Sequence, residues 1–368
     1  MLETRERKRN KIQMRFAAPL LVLLGARAWA APIGPVAKAV IPSYVQQIIS
    51  IDYGTAKKFD GAMTLKAQVL PENLRKFENA LKQLNVNPDK DLSSLVFASF
   101  DNRKASFENR KKGLNTVAVV AGSFSWQSLL KTSLQQVKPA KYNNDELYPL
   151  SETMAVTSLN DTTLLLGSSR ALQVVLSLRD HPNSNVDSNA QITEMTKSVE
   201  KSTVWSVLDE RGTQNMLLSS LGDASKLVDF VGVERQLQGS YYTMNFKLGL
   251  HLDVVVLTSD NATATKLSSL LKAGVLYKKV TANPDQRTAL DKVSVKSDRL
   301  PVAADAASTS DRSFMRMRFK VSHEQFQSLL HSGCFTGVSS ERKELSGVTS
   351  EEVTEEPKSV AASSPRIE

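Results

Sequence analysis

Three basic side chains at every second position, Arg316, Arg318 and Lys320, alternate with Met315, Met317, Phe319 and Val321. A strand of this pattern buries one row and turns the other to solvent, which makes a cationic strip suited to an anionic partner. Arg316, Arg318 and Lys320 are the surface-binding candidates of the chain. Other chemistry is matched only in part. Ser128-x-x-Lys131 and Ser269-x-x-Lys272 set a lysine one helical turn after a serine, as in penicillin-recognising serine enzymes, but no K-T-G strand or S-D-N loop accompanies either. Gly122-Ser123-Phe124-Ser125-Trp126 lacks the second glycine of a nucleophile elbow. The histidines, His181, His251, His323 and His331, form no H-x-x-x-H and join no cysteine cluster, so no metal site is expected. The acid pairs Asp145-Glu146 and Asp209-Glu210 are sequence neighbours in polar stretches and read as solvated turns rather than acid–base couples. Turns at Gly122-Ser123 and Gly167-Ser168-Ser169-Arg170 lack the glycine-rich phosphate-loop patterns, and helix capping accounts for both. No cofactor is expected and no catalytic residue can be nominated.

The elements that must position these residues follow a strand-then-helix rhythm. Val117 to Ala121 leads into WQSLLKTSL, Thr163 to Leu166 into RALQVVLSL, and Val204 to Leu208 into TQNMLLSSL. Leu252 to Leu257 leads into ATATKLSSLLKAGVL, and Phe314 to Val321 into HEQFQSLLHSGCF. Each junction carries Ser, Thr, Asp or Gly, whose side chains or backbone suit a helix start. Hairpins are expected at Met154 to Leu166 and from Tyr242 to Val256, the second with Tyr242, Met244, Phe246 and Leu248 on its buried face. Leu74, Phe77, Leu81 and Leu84 form an apolar helical stripe that Asn85 and Asn87-Pro88 bring to an end. The string Ser-Leu-Leu-Lys at 128–131 recurs at 269–272 and, as Ser-Leu-Leu-His, at 328–331, which suggests internal duplication.

The resulting expectation is an α+β chain: two similar halves of antiparallel or mixed sheet, helices packed on one face, and repeated ββα units. The polar stretch Arg179 to Asn189 separates a first half over 41–180 from a second over 190–335, with a linker at 31–40 and a disordered tail at 336–368.

The first 30 residues read as a signal peptide: basic residues, an apolar run from Phe16 to Leu24, and Ala28-Trp29-Ala30 before Ala31. The 11 residues between Arg15 and Arg27 are too few to span a bilayer, so no stable membrane span is expected after cleavage. Translation could start at Met1 or Met14. Residues 1–30 hold seven basic and two acidic side chains, so their removal lowers the net charge from +9 to +4, which argues against a nucleic-acid partner. The lone Cys334 cannot close an internal disulfide. At 368 residues, with 41% hydrophobic and 23% charged side chains, the chain can build a large core without metal or disulfide staples.

Ile41–Tyr53 (IPSYVQQIISIDY), Asp91–Phe100 (DLSSLVFASF) and Leu267–Lys279 (LSSLLKAGVLYKK) resemble a group of exported bacterial proteins with no assigned biochemical role. The resemblance implies export and an α/β build and supplies no site residues. The functional expectation is an exported protein, periplasmic or secreted, acting as a non-enzymatic binding or structural protein. Its partner would be an anionic envelope component or another protein, met at the basic strand or at a cleft between the halves. The alternatives are a hydrolase assembled between the halves and a carrier of apolar ligands.

Overall fold

The computed structural model describes residues 33–69, 72–101, 114–179, 181–221, 230–281, 284–299 and 313–332. The expected signal peptide, Cys334 and the expected disordered tail therefore lie outside the described residues. The five strand–helix units expected from the sequence all form. In chain order the first half runs α1 (Pro35–Val40), β1 (Val45–Asp52), α2 (Tyr53–Ala56), α3 (Asp60–Val69), α4 (Glu72–Gln83), α5 (Pro88–Asp91), β2 (Leu92–Phe100) and β3 (Asn115–Gly122). It continues through α6 (Trp126–Thr132), β4 (Ala140–Tyr142), β5 (Asp145–Ser151), β6 (Met154–Asn160), β7 (Thr163–Gly167) and α7 (Ser169–Arg179). The second half runs α8 (Ala190–Val199), β8 (Val204–Leu208), α9 (Glu210–Leu221), α10 (Phe230–Glu234), β9 (Leu237–Asn245) and β10 (Leu250–Thr258). It ends with α11 (Asn261–Thr281), α12 (Pro284–Leu290), β11 (Val293–Arg299), β12 (Ser313–Val321) and α13 (His323–His331).

All twelve described strands join one antiparallel sheet, in the order β11-β12-β10-β9-β8-β1-β2-β3-β7-β6-β5-β4. The class is α+β. The order β1-β2-β3-β7-β6 on one side of the centre is matched by β8-β9-β10-β12-β11 on the other. The halves meet where β1 pairs β8, with Ile48 opposite Val207 and Ser50 opposite Trp205. Ile48, Val207 and Trp205 are at most 1% exposed, so this junction is a packed β-ladder. Strand pairing satisfies the backbone of both strands along this seam.

Helices cover both faces of the first half, more than the one face expected. On one face α1, α7 and α8 bury Ala37, Val40, Leu172, Val175, Ile192 and Met195 against β1, β2, β3 and β8. Residues 35–40, expected as linker, are thus a helix in the core. On the opposite face Leu74, Phe77, Leu81 and Leu84 pack with Phe97, Val120 and Leu164, which is the stripe read from their spacing. Asn85 ends that helix in the left-handed region, φ 60°, a conformation asparagine tolerates. The same face of the second half is covered by α9, α10 and α11, through Leu217, Val233 and Leu267.

Two glycines mark close approaches. A Cβ on Gly212 would lie 2.3 Å from the Gln46 carbonyl oxygen, so α9 rests directly on the backbone of β1. Gly249 turns the β9–β10 hairpin at φ +102°, a conformation open to glycine, with the Val321 carbonyl 2.2 Å from where a Cβ would stand.

Candidate binding surface

Residues directly opposite one another on paired strands share a face of the sheet. Arg316 stands opposite Val255 and Lys296, Arg318 opposite Asp253 and Ser294, and Lys320 opposite His251. On β9 the same face carries Tyr241, Thr243 and Asn245. In the first half this face is lined by Val117, Val119 and Leu165 and roofed by α7. In the second half α8 roofs β8 and part of β9, Val255, Leu257 and Phe314 join the apolar cluster beneath it, and the rest of the row over β10, β12 and β11 carries His251, Asp253, Arg316, Arg318, Lys320, Ser294 and Lys296. The helix that follows β12, α13, sits on the other side. Its Phe326, Leu329 and Leu330 pack with Val321, Leu250 and, from the first half, Ala62 and Leu65. The Gln68 side chain also donates to the Leu330 carbonyl at 3.3 Å. The fold thus turns α13 into a brace across the halves and leaves one sheet face without its helix among the described residues.

The open face is not a row of three independent cations. Arg316 Nε donates to both carboxylate oxygens of Asp253, at 2.8 and 3.0 Å, and Arg316 Nη2 meets the same group. That hydrogen bonding raises the Arg316 guanidinium further above its ordinary pKa. Arg318 Nε lies 3.5 Å from Asp253 and its side chain is 54% exposed. Lys320, Lys296 and His251 are exposed and carry no ion pair among the described residues. Partial desolvation, followed by the charge of Lys320, pushes the His251 pKa down. The cationic character of the face therefore rests on Arg318, Lys320 and Lys296, with Arg316 tied to its neighbour. Asp253, His251 and Lys296 were missed in the sequence, although the alternation Leu252-Asp253-Val254 carried the signal for the first.

The remaining candidates do not assemble. Ser128 and Lys131 are both exposed, as are Ser269 and Lys272. A shallow depression of about 400 Å³ near α6 is lined by Lys131, Gln135, Leu130, Leu134, Val137 and Tyr148, and is open to solvent rather than an enclosed apolar chamber. The start of α6 is occupied by the protein's own anion: Asp161 accepts from Ser125 Oγ at 3.0 Å and from the Gln127 amide at 3.3 Å. The start of α7 is capped by Ser168, which accepts from the Ala171 amide at 3.2 Å. His331 and His181 each turn back onto the carbonyl four residues earlier. No group of three or more metal-ligating side chains occurs among the described residues.

Both acid pairs depart from the expected solvated turns. Asp145, 13% exposed, is gripped by Arg179 through bonds of 3.0 and 2.9 Å, tying the end of α7 to β5. Asp209 caps α9 by accepting from the Gly212 amide at 2.7 Å, and burial pushes its pKa up to about 6. In each case the tertiary fold supplies a partner that adjacency in sequence does not reveal.

A buried polar cluster lies under the helices of the first half. Tyr53 donates to Glu78 Oε1 at 2.5 Å, and Lys66 reaches Glu78 at 2.9 Å and Asp89 at 2.7 Å. Burial, then the charge of Glu78, holds the Tyr53 hydroxyl protonated far above its ordinary range. Every charged group in the cluster has a partner, so it serves as a clamp joining α2, α3, α4 and α5.

No known protein family and no curated protein matches the sequence. Among solved structures, crystal form I of TP0453, a Treponema protein, is similar with 12% identity and a TM-score of 0.40, covering 83% of this chain and 99% of that one. Crystal form III of the same protein is similar at 11% identity and TM-score 0.40, covering 80% and 97%.

Proposed function

We propose that this chain is an exported, non-enzymatic binding protein of the cell envelope, whose second half engages an extended anionic partner along the open face of β10, β12 and β11. The observation that carries the reading is that, where α7 covers apolar Val117, Val119 and Leu165 in the first half, no described helix covers Arg318, Lys320 and Lys296 on the same face of the second half, and all three are exposed among the described residues. An exposed sheet face with same-sign side chains on neighbouring strands attracts a polyanion through long-range electrostatics and need not contain a pocket. Export rests on the leader-like residues 1–30, and the matched strand orders together with the repeated Ser-Leu-Leu strings support an origin by internal duplication.

The test uses the full chain and a polyglycerol phosphate as probe polyanion. Alanine at Arg318, Lys320 and Lys296 together should weaken binding at least about tenfold and reduce its salt dependence. Unchanged affinity would remove the reading. N-terminal sequencing of protein recovered from the envelope or medium should begin at Ala31, and recovery of only the uncleaved chain from the cytoplasm would remove export.

A further inference from the structure

Helix α11 has two apolar faces. At 100° per residue, Ala264, Leu267 and Leu271 lie on one side, and Ala273, Leu276, Tyr277 and Val280 lie on the side diametrically opposite. Of the first set, Leu267 and Leu271 pack on β10, β11 and β12 with Val256, Val295 and Met315, and Ala264 is fully buried. The second faces solvent: Leu276, Tyr277 and Val280 are 62%, 70% and 76% exposed. Large apolar side chains clustered at this exposure, three within five residues of one helix, mark a contact surface rather than scattered surface residues.

The surroundings of the stripe select its occupant. Residues 261–281 contain Lys266, Lys272, Lys278 and Lys279 and no acidic residue. Lys272 and Lys279 run along one margin of the outward stripe and Lys266 lies on its side earlier in the helix, Lys279 also pairing with Asp291, just after α12, at 2.6 Å. No described helix is long and apolar enough to cross a bilayer, and α11 at 21 residues already has its other face committed to the sheet. A helix with an apolar stripe, an interface-seeking tyrosine and lysines beside it lies along an anionic lipid surface with the stripe at the headgroup boundary. A second exposed apolar residue falls at the same end of the sheet. Helix α11 starts beyond Thr258 and runs back along β10, and Val293, twelve residues after its end, pairs near Leu252. The β9–β10 turn at that end carries Leu248, 77% exposed, beside exposed Lys247. Leu248 was expected on the buried face of the hairpin; the structure places it in the turn, where the strand alternation has stopped.

We infer that the C-terminal half of α11, with the Leu248 turn, is a lipid-docking element that seats the protein on an anionic bilayer surface by inserting Leu276, Tyr277 and Val280 at the headgroup level. This surface is separate from the open sheet face and does not depend on that face binding a polyanion.

The experiment compares the full chain with two variants on vesicles of phosphatidylcholine alone and of equal parts phosphatidylcholine and phosphatidylglycerol. A Tyr277→Trp variant should show an additional blue-shifted emission over the parent on the anionic vesicles, quenched by lipids brominated on the upper acyl chain. A Leu276→Gln, Tyr277→Gln, Val280→Gln variant, changed only at exposed positions, should keep its thermal unfolding midpoint and lose about tenfold or more in anionic-vesicle binding. Indole emission of the Tyr277→Trp variant left unmoved by vesicles, or parental vesicle binding by the triple variant, would overturn the inference. So would a concentration-dependent dimer of the parent, abolished in the triple variant, because the stripe would then be covered by a second copy. Loss of polyanion binding by the Arg318, Lys320, Lys296 variant with vesicle insertion intact would leave this inference standing.

Discussion

The ammonium of Lys66 sits 2.9 Å from the carboxylate of Glu78, and the two side chains are only 15% and 10% exposed. A charge pair so placed contributes little net stability when intact, but removing one member strands the other charge out of water. Lys66→Met should therefore cost about 3 kcal/mol in chemical denaturation, and Lys66→Met combined with Glu78→Gln should recover most of it. A single-variant cost below about 1 kcal/mol would mean that water reaches Glu78 and that the cluster is no buried clamp.

Asp209 gives a stability term with an unusual sign. Its carboxyl is raised from 3.8 to about 6 in the folded chain, so between these values the native state holds a proton that the unfolded state has released. Stability from this residue is fully present below pH ~4 and declines as pH rises through about 6. Asp209→Asn keeps an acceptor for the Gly212 amide and removes the ionisation. The variant should gain on the parent above pH 6 and lose that advantage by pH 4 in thermal melts across this range. A constant difference at all pH values would show that the carboxyl titrates normally.

Gly249 combines a left-handed backbone with the Val321 carbonyl standing where a Cβ would go. Gly249→Ala meets both strain and a backbone clash and should destabilise by more than about 2 kcal/mol. Gly274→Ala is the contrast: no atom lies within 4 Å of its added Cβ, and the change in α11 should stabilise by about 0.5–1 kcal/mol. Equal effects from the two would contradict the described hairpin.

On the open face, Asp253 neutralises Arg316 and draws on Arg318. Asp253→Asn should free that charge and tighten polyanion binding by roughly fivefold at low salt, an advantage that fades as the Debye length contracts. Weaker binding by this variant would show that Asp253 contacts the partner itself.

The elements were legible in the sequence because they obey local periodicity. The stripe Leu74, Phe77, Leu81, Leu84 and the alternation of Met315, Met317, Phe319 and Val321 each show one face of one element. What those faces meet was not legible. The Arg316–Asp253 bond joins positions 63 residues apart, and Arg179–Asp145 joins positions 34 apart. Periodicity ranks residues by face and cannot say which strand lies alongside. Leu248 failed for the opposite reason: its alternation ran on through Phe246 to a position three residues beyond the last paired residue, Asn245, and hydrophobicity alone cannot mark where pairing ends. The side taken by α13 was also invisible, since α7 and α13 are both amphipathic and periodicity does not say on which face of the sheet a helix folds.

The central position of β1 has a consequence for how the protein is made. This strand emerges early, yet one of its two neighbours, β8, lies about 150 residues further along the chain. Until β8 arrives, Gln47 to Ile51 offer a bare, isoleucine-rich ladder of unpaired amides and carbonyls to any other nascent copy. A half-synthesised or truncated chain ending before β8 is thus built to stick to itself, and completing synthesis is what closes that adhesive edge.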